Sequence, residues 1–526
     1  METDAPPAPG GAGSASPHGA PSLDPSSTAQ SPVGTPADPR AHHSLTSRTA
    51  SGFAWAVGQT VLAKAVTVAC QLILARLLLK QDFGLVAIAA GIASFVAVLQ
   101  YAGLQEILVQ RHARFDRWRS AAFWMSACIG LASALLVAAS GPIAARIWNE
   151  PRLTPLLTLT GLGSLIAALQ IVPNAILLIE LRMRTYSSIL LLQSVASTVA
   201  SVLLALAGAG PYSLVLGPLF IGPVMLAVLW ALTRPVIRAK LQVRRWKYMF
   251  ADSALLFGTG MVNNVTNQGA NLLLGWFHPA SVVGVYSVGF NLSLQTVTLL
   301  TQNLSAVFFP ALSKLQSDPE RMRGAFVRAA SVLALIGMPL CALQAALAEP
   351  VIHLLYHDKW DDAIPVVQWL SLGLAFGILG SVSTSLVKAA GMFRYLFWIT
   401  VGYTTLNVAF TCAGAILGGA REVAIATAVY FAIAGPVGTW LVLRPFGGNV
   451  RDIARIYAAP TLCSAAAFAA ALWSQQSIPM IHNSRWIPLV TTPLLGAAIY
   501  LPLTQLLAPA PLRELRQRIR EFNRTL

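Results

Sequence analysis

The chain has 526 residues, 56% of them apolar and 11% charged, with a formal net charge of +16. A soluble domain carries about 25% charged residues, so this balance excludes one compact core bathed in water. The cations are spread over short connections, which argues against a nucleic-acid-binding patch.

Residues 1–50 form a Pro-, Ser-, Ala- and Gly-rich tail with almost nothing to bury, and they are expected to be disordered. The tail lacks the charged start, short apolar run and cleavage site of a secretory signal. Apolar blocks then follow, each of roughly the 20 residues that a helix needs to cross hydrocarbon. They are placed at 53–74, 85–109, 120–147, 153–179, 189–209, 212–232 and 254–277. The series continues at 282–309, 325–347, 364–387, 396–417, 423–443, 456–473 and 486–507. The expected fold class is an all-α polytopic membrane protein of about fourteen transmembrane helices. Cys70, Cys128, Cys341, Cys412 and Cys463 all fall inside these blocks without C-x-x-C spacing. Neither a disulfide framework nor a metal cluster is expected.

Lys and Arg in the connections set the orientation. One side collects Arg111 to Arg119, Arg182 and Arg184, Arg234 to Lys247, Lys314 to Arg328, Lys388 and Arg394, Arg444 to Arg455, and Arg513 to Arg524. With Arg40 and Arg48 that side holds 28 cations, against 7 on the other; Lys64 lies within a span and completes the 36. Both termini are therefore expected in the cytoplasm. Leu512, Leu515, Ile519 and Phe522 share one face of a basic terminal helix, suited to the membrane surface or to docking.

A shift of 200 residues lays Asp82-Phe83-Gly84-Leu85-Val86 on Val282-Val283-Gly284-Val285-Tyr286. Pro142 falls on Pro350 at a shift of 208, and Met183 to Tyr186 fall on Met392 to Tyr395 at 209. Six spans per repeat is an even number, so both repeats face the same way, with a pseudo-two-fold along the membrane normal. The expected units are bundles at 51–250 and 251–445, followed by two added helices and the basic tail at 446–526.

Leu74-Ala75-Arg76-Leu77-Leu78, Asp82-Phe83-Gly84-Leu85, Gly103-Leu104 and Leu108-Val109-Gln110-Arg111 resemble the opening of polysaccharide flippases. These are the O-antigen and exopolysaccharide exporters of the multidrug/oligosaccharidyl-lipid/polysaccharide superfamily. Trp360-Asp361-Asp362-Ala363-Ile364-Pro365 resembles that family's loop before the tenth span. Over residues 50 to 445 the resemblance implies two six-helix bundles around a cavity. It also implies an undecaprenyl-diphosphate-linked oligosaccharide as substrate, moved across the bacterial inner membrane for surface polysaccharide synthesis. Membrane lipids, and the glycan polymerase and glycosyltransferases of such a pathway, are the implied partners. The family more often has a proline turn where this chain has Leu79-Lys80-Gln81.

A glycan on a diphosphate needs a wet, polar and preferably cationic path, because unpaired polar groups are costly in hydrocarbon. Lys64 and Gln71 share one face of the first span and map by the 200-residue shift onto Asn264 and Asn271. The seventh span carries Asn263, Asn264, Asn267, Gln268 and Asn271 at helical spacing, and Asn291 and Gln295 continue the theme in the eighth. The candidate path is therefore Lys64, Gln71, Arg76, Asn264, Asn267, Asn271, Asn291 and Gln295. Hydrogen bonding between spans is the alternative for the amides, snorkelling for Arg76, and an interfacial ion pair for Glu106. His353 and His357, with the aspartates that follow, read as a solvated helix end rather than as a metal site. No D-x-D motif or phosphate-cradling glycine loop is present, so neither catalysis nor a cofactor is expected. A drug/cation antiporter of the same superfamily would place carboxylates deep in the bundle. A glycan polymerase or ligase would carry large catalytic outward loops.

Overall fold

A computed structural model describes residues 66–100, 108, 115–180, 182–235, 237, 243–313, 315–316, 318–477 and 486–507, all within the compact unit Thr60–Leu526. The tail, Lys64, Glu106 and the basic terminal segment lie outside the described residues. In chain order the helices are α1 (Val66–Leu77), α2 (Lys80–Gln100), α3 (Phe115–Ile147), α4 (Leu153–Ile179), α5 (Met183–Leu206) and α6 (Tyr212–Thr233). They continue as α7 (Val243–Phe277), α8 (Ala280–Ser313), α9 (Pro319–Tyr356), α10 (Ala363–Gly377), α11 (Gly380–Ala389), α12 (Phe393–Leu417), α13 (Ala420–Leu443), α14 (Val450–Ser477) and α15 (Ile487–Leu507).

Hydrocarbon leaves no water to satisfy the backbone, so each apolar block bonds to itself as a helix. Twelve spans among the described residues are long and apolar enough to cross a membrane, α10 and α11 counting as one. The chain is an all-α, multi-pass membrane protein. Ser and Thr within the spans turn their hydroxyls back to the preceding turn, as Thr160 does to Leu156 O and Thr301 to Val297 O.

Over its described residues each predicted span falls on a helix; the first is described from Val66 and the second to Gln100, with Leu108 beyond. Three spans depart from expectation. α9 runs for 38 residues, about 57 Å at 1.5 Å per residue, because bilayer thickness limits the apolar stretch and not the helix. The span predicted at 364–387 is broken between α10 and α11, where Gly377 and Gly380 flank a two-residue turn. α7 is long enough to span, yet it is not among the twelve, since its run of amides dilutes its apolar content.

The two repeats pack in parallel fashion. α3 lies on α4 and α9 on α10; α5 pairs with α6 and α12 with α13. α14 packs on α9, and α15 on α14 and α9. Between the repeats, α2 crosses α8 and touches α7.

Core distribution distinguishes the two ends of the molecule. Where α1 stops and α2 starts, one apolar core draws on both repeats. Ala75, Leu85, Ile88 and Leu156 pack there with Leu274, Val283, Tyr286, Trp360 and Val366. At the opposite end the cores are separate. Leu108, Met125, Ile171 and Ile176 form one, joined by Trp246 from the start of α7. Met322, Phe326, Ile378, Leu386 and Leu443 form the other.

Candidate functional site

The shared core seals one end of the space between the repeats, and backbone meets backbone there. A Cβ added at Gly84 would overlap the Ala280 carbonyl oxygen, and one added at Gly284 would overlap the Lys80 carbonyl oxygen. Each clash maps onto the other by the 200-residue shift. The crossing of α2 and α8 therefore sits on an approximate two-fold, and small residues allow its closeness.

Polar contacts reinforce this end. Arg76 Nε donates to Leu355 O at 2.9 Å, and Trp360 Nε1 donates to Ala75 O at 3.0 Å. Lys359 Nζ donates to Arg76 O at 3.1 Å and Leu78 O at 2.5 Å, with Ala75 O at 3.5 Å. Lys80 and Asp362 form an ion pair across the repeats. Phe83 meets the Trp360 ring edge-on at 5.4 Å. Buried Asp82 accepts from Leu79 N at 2.9 Å and caps α2. Burial holds the Lys359 ammonium below the ordinary lysine pKa of 10.5; Asp82 opposes that shift and Lys80 adds to it.

Away from the seal the repeats meet through side-chain amides. Asn264 Nδ2 donates to Ser94 Oγ at 3.0 Å, and Gln295 Nε2 donates to Gln71 Oε1 at 3.3 Å. Asn271 bonds within its own helix to Gln268 Oε1 at 3.2 Å, and its own Oδ1 is buried with no partner. Asn291 Nδ2 donates back to Ser287 O at 2.8 Å, while Asn267 is exposed.

Of the residues singled out from sequence, Gln71 and Gln295 are brought together directly. Asn264 reaches the other repeat, and Asn267, Asn271 and Asn291 line up on the same two helices. Arg76 stands apart, committed to the sealed end, and Lys64 is outside the described residues. His353 lies 3.3 Å from Asp361.

A cavity of about 440 Å3 adjoins this region inside the first repeat, between α2, α4, α5 and α6. Ser94, Gln100, Thr160, Ser164, Gln170 and Gln193 supply its polar side chains; Gln170 donates to Gly222 O at 3.2 Å. These glutamines have no amide at the matching place in the second repeat, so agreement between repeats did not single them out. Lone amides inside apolar spans were the available signal.

The sequence model of a family described as polysaccharide biosynthesis protein matches residues 73–365, more than half of the chain. The chain belongs to this polysaccharide biosynthesis protein family. The matched stretch runs from the last turn of α1 into α10 and takes in the crossing of α2 and α8 and the turn that carries Lys359 and Trp360. Among relatives, the succinoglycan biosynthesis transport protein ExoT of Rhizobium meliloti (strain 1021) is 28% identical over 399 residues, covering 74% of this chain and 79% of that one. The lipopolysaccharide biosynthesis protein WzxC of Escherichia coli (strain K12) is 22% identical over 415 residues, covering 77% and 83%. A solved structure of the lipid II flippase MurJ, inward closed conformation, shares the fold with a TM-score of 0.71. It covers 86% of this chain and 98% of that one at 15% identity. The family resemblance drawn from the motifs at 74–111 and 360–365 is met.

Proposed function

We propose that this member of the polysaccharide biosynthesis protein family is a flippase for an undecaprenyl-diphosphate-linked oligosaccharide in the bacterial inner membrane. It works by alternating access between bundles at 51–250 and 251–445. The observation that carries the reading is the pair of repeats joined by one core at one end and holding separate cores at the other, with amides facing between them. The names of the relatives, which speak of succinoglycan transport and lipopolysaccharide biosynthesis, support the substrate class. By the 28-to-7 asymmetry of Lys and Arg, the sealed end faces outward and both termini face the cytoplasm. The open end then faces the side where lipid-linked precursors are made.

Lys64 supplies the cation of the path. An ammonium inside a span costs about 2.5–3.5 kcal/mol on insertion scales, and an arriving diphosphate offsets it. Gln71, Asn264, Asn267, Asn271, Asn291 and Gln295 offer donors and acceptors to sugar hydroxyls. The antiporter reading is less favoured, because Asp82, the buried carboxylate among the described residues, is already committed as a helix cap.

The test is surface polysaccharide in a deletion strain complemented at matched expression. Lys64→Ala should abolish export while insertion stays intact, and Lys64→Arg should keep part of it. Wild-type export by Lys64→Ala would remove Lys64 from the path. Reporter fusions after Lys247 should report cytoplasm and those after Lys359 the outside; a reversed result would overturn the orientation.

A further inference from the structure

The two repeats present corresponding surfaces at the sealed end, and they are held there by unequal means. α1 and α7 are repeat-related, and Ala75 and Gly275 differ by the same 200 residues as Gly84 and Gly284. Each receives an indole from the opposite repeat, delivered by the segment that follows the third helix of that repeat. Trp360 comes after α9 and sits on Ala75; Trp148 comes after α3 and sits on Gly275, where an added Cβ would lie 2.6 Å from its Nε1. Trp148 also meets the Trp276 ring edge-on at 6.4 Å.

The chemistry of the two contacts differs. Trp360 Nε1 is hydrogen-bonded to Ala75 O, whereas Trp148 Nε1 is buried with no partner. The last carbonyls of a helix have no donor within the helix and carry its negative end. At α1, Lys359 supplies that donor to Arg76 O and Leu78 O, and Asp362 of the same turn pairs with Lys80. At α7, the His278 ring bonds to Ala415 O in its own repeat. Glu150, which follows Trp148, is likewise spent within its own repeat on Gln81 at 2.6 Å.

We infer that the seal is locked from one side only: the turn His357–Trp360 caps the C-terminus of α1, Lys359 is the positioning residue that keeps the end closed, and the Trp148 contact adds packing without a lock. This rests on the reading that the repeats part at this end during transport. Charge-assisted bonds to carbonyls must be given up on opening, and only the junction of α1 with the end of α9 holds them, through Lys359 and through Arg76 on Leu355 O. Lys359 touches no substrate in this scheme; it sets how often the end opens.

The experiment reads opening and not export, so it is independent of the fate of Lys64. Asn291→Cys, on the path side of α8, is labelled in intact cells with a membrane-impermeant maleimide, and the background from the native cysteines is measured in the parent chain. Labelling from outside should be slow. Adding Lys359→Ala should speed it by about tenfold or more, the factor for one charge-assisted hydrogen bond. Lys359→Arg should restore slow labelling, and Trp148→Phe should leave it unchanged. If Lys359→Ala does not reach the membrane, Lys359→Gln takes its place with the same expectation. Equal acceleration by Trp148→Phe, or no acceleration by either Lys359 variant, would overturn the one-sided lock.

Discussion

The repeats meet in two places, and the two contacts are built from different materials. At the sealed end, backbone lies on backbone where Gly84 faces Ala280 and Gly284 faces Lys80, with cations set on helix-end carbonyls around them. Along the proposed path, they meet through single amides, Asn264 on Ser94 and Gln295 on Gln71. The first kind of contact is made or lost as a whole, because no side chain can adjust to fill a backbone crossing. The second consists of bonds worth about 0.6 kcal/mol each in membranes, which a sugar hydroxyl can replace one at a time. A transporter needs both: a joint with two discrete states, and an interior that exchanges partners at little cost.

The largest effect should come from the crossing. Gly84→Val or Gly284→Val forces α2 and α8 apart at a backbone contact, and overpacking of this kind costs about 1–3 kcal/mol. Export should be lost at matched expression, with the sealed end, by the proposed orientation, standing open to impermeant labels added from outside. Normal export by either variant would mean that this crossing is not part of the working cycle.

The ion pair comes next. Lys80 and Asp362 are 27% and 71% exposed, so the pair is worth at most about 1 kcal/mol, or about fivefold in the closed-to-open ratio. Lys80→Ala and Asp362→Ala should open the end to a similar small degree, and the exchanged pair Lys80→Asp with Asp362→Lys should reclose it. Independent effects of the two single changes would show that they do not act as a pair.

Smaller still, Gln71→Ala and Gln295→Ala should each lower export by about threefold or less, and the losses should add in the double variant, since each amide offers its own groups to sugar hydroxyls. A double variant no worse than either alone would show that the two amides serve only each other.

Much of this was legible in the sequence, for physical reasons that differ by residue. Spans and their number follow from the need to cover hydrocarbon, and Gly84 and Gly284 could be aligned because both repeats keep the same close crossing. The amides of α7 stood out because polar groups are costly within a span. The role of Trp360 was hidden: its motif marks the family, yet its partners, Ala75 O and the end of α1, lie 285 residues away and belong to backbone, which leaves no trace in composition. Arg76 was ambiguous for the same reason, since its acceptor is the Leu355 carbonyl. The break between α10 and α11 was missed because an apolar run with two glycines reads the same whether bent or straight.

The central claim is movement of an intact lipid-linked glycan, and reconstitution tests it most directly. The purified full chain is placed in liposomes that carry an undecaprenyl-diphosphate-linked oligosaccharide, and its appearance in the opposite leaflet is followed with an impermeant glycosidase. Transfer should be faster than in protein-free liposomes, slower with Lys64→Ala, and the glycan should emerge with its length unchanged. Transfer no faster than in protein-free liposomes, or a glycan lengthened or cleaved by the protein alone, would contradict the account.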